Sequence, residues 1–318
     1  MKAFQVQSFE QPPELVDVAL PQPASGEVLL KISACGLNFA DLLMQKGKYQ
    51  DTPQPPFTLG MEVCGTVAAL GEGVTGLSQG DRVVVFGGQG GLAEYGVFPA
   101  ERCRPVPDSM ADAEAAGFMV AYGTSHLALT RRARLQEGET LLVLGAAGGV
   151  GLTAVEVGKQ LGATVIAVAR GQEKLAIARQ AGADHLIDAG ADLVTELRAL
   201  GGVDVVYDAV GGQGFMDALR ACKREARMLA IGFASGDVPQ VPANHLLVKN
   251  VDVLGFYWGG YLKFNPAALG DSLAELMDWY DRGWITPHIS HTVPLAEADQ
   301  ALQLLADRKS TGKVVVTM

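Results

Sequence analysis

The sequence predicts an α/β protein of two domains: a β-rich domain built from both ends of the chain, and a doubly wound six-stranded parallel sheet inserted between them. Three observations predict this. Residues 1–110 hold most of the prolines and many short apolar runs bounded by glycine, which read as strands joined by turns. From about residue 112, short wholly apolar runs alternate with helix-patterned segments, the mark of a parallel sheet covered on both faces. Beyond about residue 257 the alternation stops, and the tail has no evident core of its own. The expected division is 1–115 with 257–318 for the first domain and 116–256 for the second. A length of 318 residues suits two domains at roughly 150 residues each.

Taken in order, the runs at 28–32, 62–67 and 81–86 are expected strands of a barrel or sandwich, with Gly80-Asp81 as the turn before the third. The Ala-rich stretch 111–129 is helical. Apolar runs at 140–144, 164–169, 185–187, 203–207, 227–231 and 251–254 are the six strands. Helices are expected near 149–161, 172–182, 191–200 and 213–223. Six strands in two βαβαβ halves is the count of a dinucleotide-binding domain. A helix at 266–281, a short helix at 296–308 and a closing strand at 312–316 complete the first domain.

Composition excludes several functions. Lys plus Arg total 25 against 35 Asp plus Glu, a net charge of −10, and no basic run reaches five residues. A chain this acidic is not expected to bind nucleic acid or an anionic membrane. The four cysteines, Cys35, Cys64, Cys103 and Cys222, form no CxxC pair and fit reduced thiols of a cytoplasmic protein. The opening MKAFQVQSFEQ lacks the apolar core of a signal peptide. The apolar stretch 141–155 is too short and too interrupted by glycine to span a bilayer.

The strongest local motif is LLVLGAAGGVG at 141–151. A strand runs into a glycine-rich turn and then a helix, so the helix N-terminus can present free N–H groups to a pyrophosphate. An NAD site usually carries an acidic residue ~20 positions on, at the end of the second strand. Here that strand ends Val168-Ala169-Arg170-Gly171, with Lys174 shortly after. Two cations suit a 2′-phosphate, hence NADPH; the lesser alternative is that they are exposed residues at a helix entry.

A second motif is CGLNFAD at 35–41, which could mark a metal site, a catalytic site or neither. With TLGME at 58–62, AYGT at 121–124, the 146–151 loop, DAVGG at 208–212 and IGFASG at 231–236, it resembles the medium-chain dehydrogenase/reductase superfamily. Within it, the resemblance is to the zinc-free quinone oxidoreductases related to zeta-crystallin, and it covers essentially the whole chain. The resemblance implies a GroES-like catalytic domain and a Rossmann domain. Relatives that use zinc place a cysteine ligand where this chain has Asn38 and a histidine where it has Met61. They also carry a four-cysteine lobe with no counterpart here, so no metal is expected.

Without a Lewis acid, hydride transfer to an activated acceptor, a quinone or α,β-unsaturated carbonyl, is favoured over reduction of a simple ketone. By resemblance, Asn38 lies at the nicotinamide end of the site, orienting the cofactor or donating to the acceptor oxygen. Asp41 either steadies it or caps a helix. Tyr49 lines the pocket as a proton donor or is a loop aromatic. Thr124 contacts the cofactor; Ala147, Gly148, Gly149 and Val150 approach the pyrophosphate; Arg170 and Lys174 take the 2′-phosphate; Phe233, Ala234 and Ser235 follow the fifth strand beside the cofactor. Asp188 stands where relatives often place a tyrosine that reaches the phosphate, and an anion there works against it. The aromatic run 256–261 has three readings: substrate mouth, dimer edge or core. The relatives imply a homodimer, or a tetramer. The alternatives to a quinone or enone reductase are an enoyl-thioester reductase and a low-turnover NADPH-binding structural or sensing protein.

Overall fold

The computed structural model describes all 318 residues. The chain divides into two compact units: Met1–Val120 with Pro287–Met318, and Ala121–Thr286. The first leg of the first unit contains β1 (Lys2–Val6), β2 (Glu14–Asp17), β3 (Glu27–Gly36), α1 (Phe39–Met44), β4 (Phe57–Thr58) and β5 (Glu62–Leu70). It continues through β6 (Arg82–Phe86), β7 (Tyr95–Pro99), β8 (Arg104–Pro105) and α2 (Asp112–Ala116). The expected long helix at 111–129 is broken: α2 ends at Gly117, and α3 (Met119–Leu127) starts afresh.

The second unit holds β9 (Thr140–Leu144), α4 (Gly149–Gln160), β10 (Thr164–Ala169), α5 (Gln172–Gln180), β11 (His185–Asp188), α6 (Leu193–Ala199) and β12 (Val203–Asp208). Then come α7 (Gly212–Ala221), β13 (Cys222–Ala230), α8 (Ala243–Lys249), β14 (Asp252–Gly255), α9 (Tyr261–Phe264) and α10 (Pro266–Asp281). The chain closes in the first unit with β15 (Ile289–Pro294), α11 (Ala298–Ala306) and β16 (Lys313–Thr317).

In the second unit the strand order is β11-β10-β9-β12-β13-β14, every pair parallel. The order reverses beside β9, so the loops after β9 and β12 flank the switch point, where ligands of such sheets bind. Leu142, Ile166, Val206 and Met228, one from each central strand, are fully buried in a common core with Phe215 and Leu219 of α7. The fully apolar strands follow from that two-sided cover.

The boundary expected at 256/257 lies instead at 286/287. Residues 257–286 stay with the second unit because their side chains find partners there. Ser272 of α10 hydrogen-bonds His126 Nδ1 of α3 at 2.8 Å, and Trp279 meets the same imidazole edge-on at 5.1 Å. The aromatic run resolves largely into core: Phe256, Trp258 and Tyr261 are all buried. A Cβ at Gly123 would meet Trp258 Nε1 at 2.6 Å, so α3 needs a glycine where the indole lies against it.

The first unit has a mixed sheet, β15-β16-β3-β5-β6-β8 with β7 also on β3, and a three-stranded sheet β2-β1-β4. The tail contributes one side of it, β15 at the edge and β16 beside it: β16 pairs with the end of β3, setting Val316 opposite Cys35 and Val315 opposite Gly36. Gly36 is required there, since a Cβ would lie 2.2 Å from Ala116 O of α2. The close approach brings the ends of β3, β16 and α2 together.

Candidate functional site

Asn38 follows the end of β3 in extended conformation and starts α1. Asp41, in the first turn, reaches back to accept the Asn38 N–H at 2.8 Å, the carboxylate half of a capping box. Its other oxygen accepts the Gly60 N–H at 3.3 Å, tying α1 to the segment before β5. Gly60 has φ +94°, and a Cβ there would collide with Cys35 Sγ and Leu92 N, both at 2.6 Å. Asp41 is wholly inaccessible, and burial raises its pKa to about 7 against the pull of these N–H groups and of Lys313. Burial likewise pushes the Cys35 thiol well up, with Asp41 and Glu62 adding to it.

The Asn38 side chain enters a closed ionic network. Lys313 Nζ, on the first residue of β16, lies 2.8 Å from each of Leu37 O, Asn38 Oδ1 and Glu62 Oε1. Asn38 Nδ2 donates to Glu62 Oε1 at 3.0 Å and, at 3.4 Å, to Gly36 O. Glu62 Oε2 accepts the Val120 N–H at 2.9 Å. Glu62 is 1% and Lys313 5% exposed, so the pair is held away from water. Such a pair persists only when its remaining hydrogen-bonding capacity is met, as it is here.

The residues present do not fit a catalytic zinc ion. Around Glu62 the donors are an amide and a single carboxylate, Met61 is packed in the core, and the charge opposite the carboxylate is an ammonium. Zinc takes three or four Cys, His or carboxylate ligands. No group of three or more His, Cys, Asp or Glu side chains that could hold a metal occurs anywhere in the structure.

The second candidate site lies along the C-terminal edge of the parallel sheet. Gly145 turns the chain at φ +73°, and Gly148 precedes α4 without a side-chain cap. The first-turn N–H groups of this twelve-residue helix are therefore unspent by any cap. The glycines differ in purpose. A Cβ at Gly151 would strike Gly145 O at 2.2 Å, so that residue serves helix–strand packing. A Cβ at Gly148 would meet nothing closer than 3.5 Å, so the protein itself does not demand glycine there. An open backbone at a helix N-terminus fits a close-approaching pyrophosphate. Ala147 packs with Ala169 and Leu175, leaving its backbone to line the turn.

Beneath this turn runs a hydroxyl network that sequence reading missed. Ser125 of α3 donates to Val150 O at 2.9 Å, and its oxygen lies 2.8 Å from Thr153 Oγ1 and 3.1 Å from Tyr207 Oη. Thr153 donates to Ala121 O at 3.0 Å. Thr124 is buried on the same helix. After β10, Arg170 is exposed and Lys174 half-buried in the first turn of α5. Asp188 spends both oxygens on backbone: Oδ2 accepts the Gly171 N–H at 2.8 Å and Oδ1 the Gly190 N–H at 2.9 Å. Those two bonds, with the Arg170 charge beside them, hold its pKa below the usual carboxylate value. Asp188 thus anchors the turn that carries Arg170. The 233–235 segment is knit to the loop after β12, Ala234 N–H to Ala209 O (3.1 Å) and Ser235 N–H to Val210 O (2.9 Å). Asp208 braces that loop by accepting the Val210 and Gly211 N–H groups.

Residues 24–108 match the family described as the alcohol dehydrogenase GroES-like domain, and residues 149–277 the family described as zinc-binding dehydrogenase. Quinone oxidoreductase-like protein 2 of Bos taurus is 39% identical over 312 residues, 96% of this chain and 89% of its own. The chain belongs to the quinone oxidoreductase group of the medium-chain dehydrogenase/reductase superfamily. Solved relatives agree along the full length. The quinone oxidoreductase of Thermus thermophilus, solved also with NADPH, is 36% identical, with a TM-score of 0.88 and 100% of both chains covered. The Escherichia coli quinone oxidoreductase complexed with NADPH is 28% identical, with a TM-score of 0.93 and the same coverage.

For this quinone oxidoreductase relative, the structure gathers the expected residues into two groups. Asn38 and Asp41 share one turn. Tyr49 lies half-buried in the turns beyond α1, its backbone N–H and carbonyl both bonded to the Thr52 hydroxyl. Ala147, Gly148, Gly149, Val150, Arg170, Lys174, Phe233, Ala234 and Ser235 all lie on loops or helix starts at the C-terminal edge of the sheet. The residue that sequence reading missed at Asn38 is Lys313. Its only local signal is a lysine opening an otherwise apolar strand, KVVVT, which reads as a solvated strand end.

Proposed function

We propose that this protein is an NADPH-dependent, zinc-independent reductase that transfers a hydride to a quinone or another α,β-unsaturated carbonyl. The observation that carries the reading is a dinucleotide cradle in a chain whose buried Glu62 carboxylate is paired with the Lys313 ammonium and has no metal-ligating neighbours. The NADPH complexes of the Thermus and Escherichia coli relatives support the same cofactor here. A bound dihydronicotinamide supplies the hydride. The protein's part is to bind and orient. Gly148, Gly149 and Val150 present backbone to the pyrophosphate, with Ala147 behind them. Arg170 makes no hydrogen bond or ion pair within the protein and is free for the 2′-phosphate, with Lys174 nearby in sequence. Thr124 forms no side-chain hydrogen bond within the protein and offers its hydroxyl to the cofactor. Phe233, Ala234 and Ser235 border the cofactor. Asn38, held by Asp41 and Lys313, orients the reacting groups, and Tyr49 offers a phenolic proton.

A conjugated acceptor spreads the incoming charge over its own oxygens, so positioning and exclusion of water suffice without a Lewis acid. Incubation of the protein and NADPH with a panel of quinones, enones, enoyl thioesters and simple ketones tests this. Oxidation of NADPH is expected with quinones or enones and not with simple ketones. Preference for enoyl thioesters, or tight NADPH binding without oxidation of any kind, overturns the reading.

The assembly proposed is a homodimer. The outer edge of β14 has no strand partner, and α8 nearby in sequence exposes Leu247 and Val248 at 77% and 67%. Light scattering should give twice the chain mass, and Leu247→Asp should lower it. All four cysteines are unpaired and buried, which suits a reducing, cytoplasmic setting. The net charge of −10 speaks against nucleic-acid and membrane partners. No helix is long and apolar enough to cross a membrane.

A further inference from the structure

Three hydroxyls that touch one another lie buried beneath the glycine turn. Ser125 of α3 and Tyr207 of β12 are wholly inaccessible, and Thr153 of α4 is buried with them. A buried hydroxyl costs stability unless it is hydrogen-bonded, whereas Ala, Phe and Val in these places would make no such demand. Their single protons run in one direction. Tyr207 Oη has one neighbour, Ser125 Oγ at 3.1 Å, so its proton goes there. The Ser125 proton is then left for α4, where Val150 O lies at 2.9 Å and Thr153 Oγ1 at 2.8 Å. Thr153 in turn reaches Ala121 O at 3.0 Å, Val150 O at 3.1 Å and Gly149 O at 3.3 Å.

Hydroxyl donors from two side chains thus converge on the carbonyls of Gly149 and Val150. Each carbonyl shares a rigid peptide group with the N–H of the next residue. Gly149 O goes with the Val150 N–H, and Val150 O with the Gly151 N–H. Both N–H groups lie in the first turn of α4, where neither a side-chain cap nor a backbone carbonyl takes them. A hydrogen bond accepted at the oxygen polarises the peptide group and makes its N–H a stronger donor.

We infer that Ser125 is a positioning residue for the diphosphate of a dinucleotide: it holds the Val150 carbonyl from below, and so aims and polarises the Gly151 N–H at the other end of the same peptide group. Tyr207 donates into Ser125 from the far side and keeps the Ser125 proton on α4. The glycines of the turn give the ligand room; Ser125 gives the donors their direction. The inference rests on the proposed use of NADPH. All three hydroxyls lie within Ala121–Thr286, so the arrangement is complete inside the second unit.

The test is phosphorus NMR of NADPH at saturation on wild type, Ser125→Ala, Ser125→Cys and Tyr207→Phe. The diphosphate and the 2′-phosphate give separate resonances, so one spectrum reads the cradle and the Arg170 end independently. On Ser125→Ala the diphosphate resonances are expected to move back toward those of free NADPH, while the 2′-phosphate resonance keeps its wild-type position. NADPH binding, read by fluorescence, should fall about fivefold, the worth of one hydrogen bond. Ser125→Cys keeps a weak donor and should fall between the two. Tyr207→Phe leaves Ser125 its proton and its acceptors on α4, so it should shift the diphosphate resonances less than Ser125→Ala does. If Ser125→Ala lacks a cooperative unfolding transition, Ser125→Cys carries the comparison with wild type. Diphosphate resonances that stay at their wild-type positions in the Ser125 variants overturn the inference and leave the proposed function standing. A 2′-phosphate resonance that moves as far as they do, or an equal shift in Tyr207→Phe, overturns it in the same way. Failure of wild type to bind NADPH instead brings down the proposed function.

Discussion

The two candidate sites are built in opposite ways. Around Asn38 the polar groups are consumed by one another: Lys313, Glu62 and Asp41 have their hydrogen-bonding atoms directed at neighbours inside the first unit. Along the edge of the second unit's sheet the reverse holds. The start of α4 is uncapped, Gly148 opens onto space, and Arg170 is exposed. One site is rigid because its charges are satisfied; the other is receptive because its backbone is not. The contrast is that of a framework that orients with a cradle that binds.

The largest effect should come from breaking the satisfied network. Lys313→Met leaves Glu62 buried without its counter-ion and should destabilise the protein by about 3–5 kcal/mol in urea unfolding. The double variant Lys313→Met with Glu62→Gln should recover a good part of that loss. Additive losses would mean that the two side chains do not act as a pair.

The cradle should respond in binding and not in stability. Gly148→Ala is expected to leave unfolding within about 0.5 kcal/mol of wild type, while NADPH binding falls by about tenfold or more. Gly151→Ala should do the converse, because its Cβ would meet Gly145 O at 2.2 Å. Equal loss of stability in the two variants would erase the distinction between ligand-facing and packing glycines.

Asp188 sharpens the comparison, since it is a satisfied carboxylate in the receptive site. By its charge alone, Asp188→Ala should tighten NADPH. By its bonds to Gly171 and Gly190 it steadies the Arg170 turn, and its loss should weaken NADPH several-fold, more than NADH. The structure favours the second outcome, and Arg170→Ala should show the same bias toward NADPH. Competitive binding of the two cofactors decides.

The last test is a pH slope, read across a range of pH and not at a single value. Asp41 titrates at about 7 when folded and near 3.8 when unfolded, so the folded state holds the extra proton between these values. Its contribution to stability is fully present below about pH 4 and is lost as pH rises through 7. Asp41→Asn removes this loss, so its stability relative to wild type should climb from pH 4 to pH 7. A constant difference across that range would place the Asp41 pKa near its ordinary value.

How far each region can be read from the sequence follows the same contrast. The parallel sheet, the cradle and the basic Arg170 turn are written in contiguous residues: a strand, a glycine turn and a helix start lie within 141–151, and the strand expected at 164–169 has those bounds in the structure. The Asn38 site depends on residues from β3, β5 and β16, and periodicity in a single strand cannot pair Lys313 with Asn38. The CGLNFAD motif shows which metal ligand is missing, but not that the Glu62 carboxylate is paired with an ammonium. Asp188 misleads for a related reason: its sign is in the sequence, but the two backbone N–H groups that absorb it appear only on folding. The 286/287 boundary is also hidden, because what holds 257–286 to the second unit are contacts between residues far apart in the chain: His126 with Ser272 and Trp279, Gln160 with Trp284 O, and Glu156 with the Thr286 N–H.

The central claim is that hydride transfer here needs no metal, the buried Glu62 being paired with the Lys313 ammonium instead. Metal analysis of the purified protein, paired with NADPH oxidation by a quinone before and after chelation, tests it most directly. The account predicts turnover that is unchanged by the chelator, with zinc far below one equivalent per chain. One equivalent of zinc, with activity lost on its removal, would contradict it.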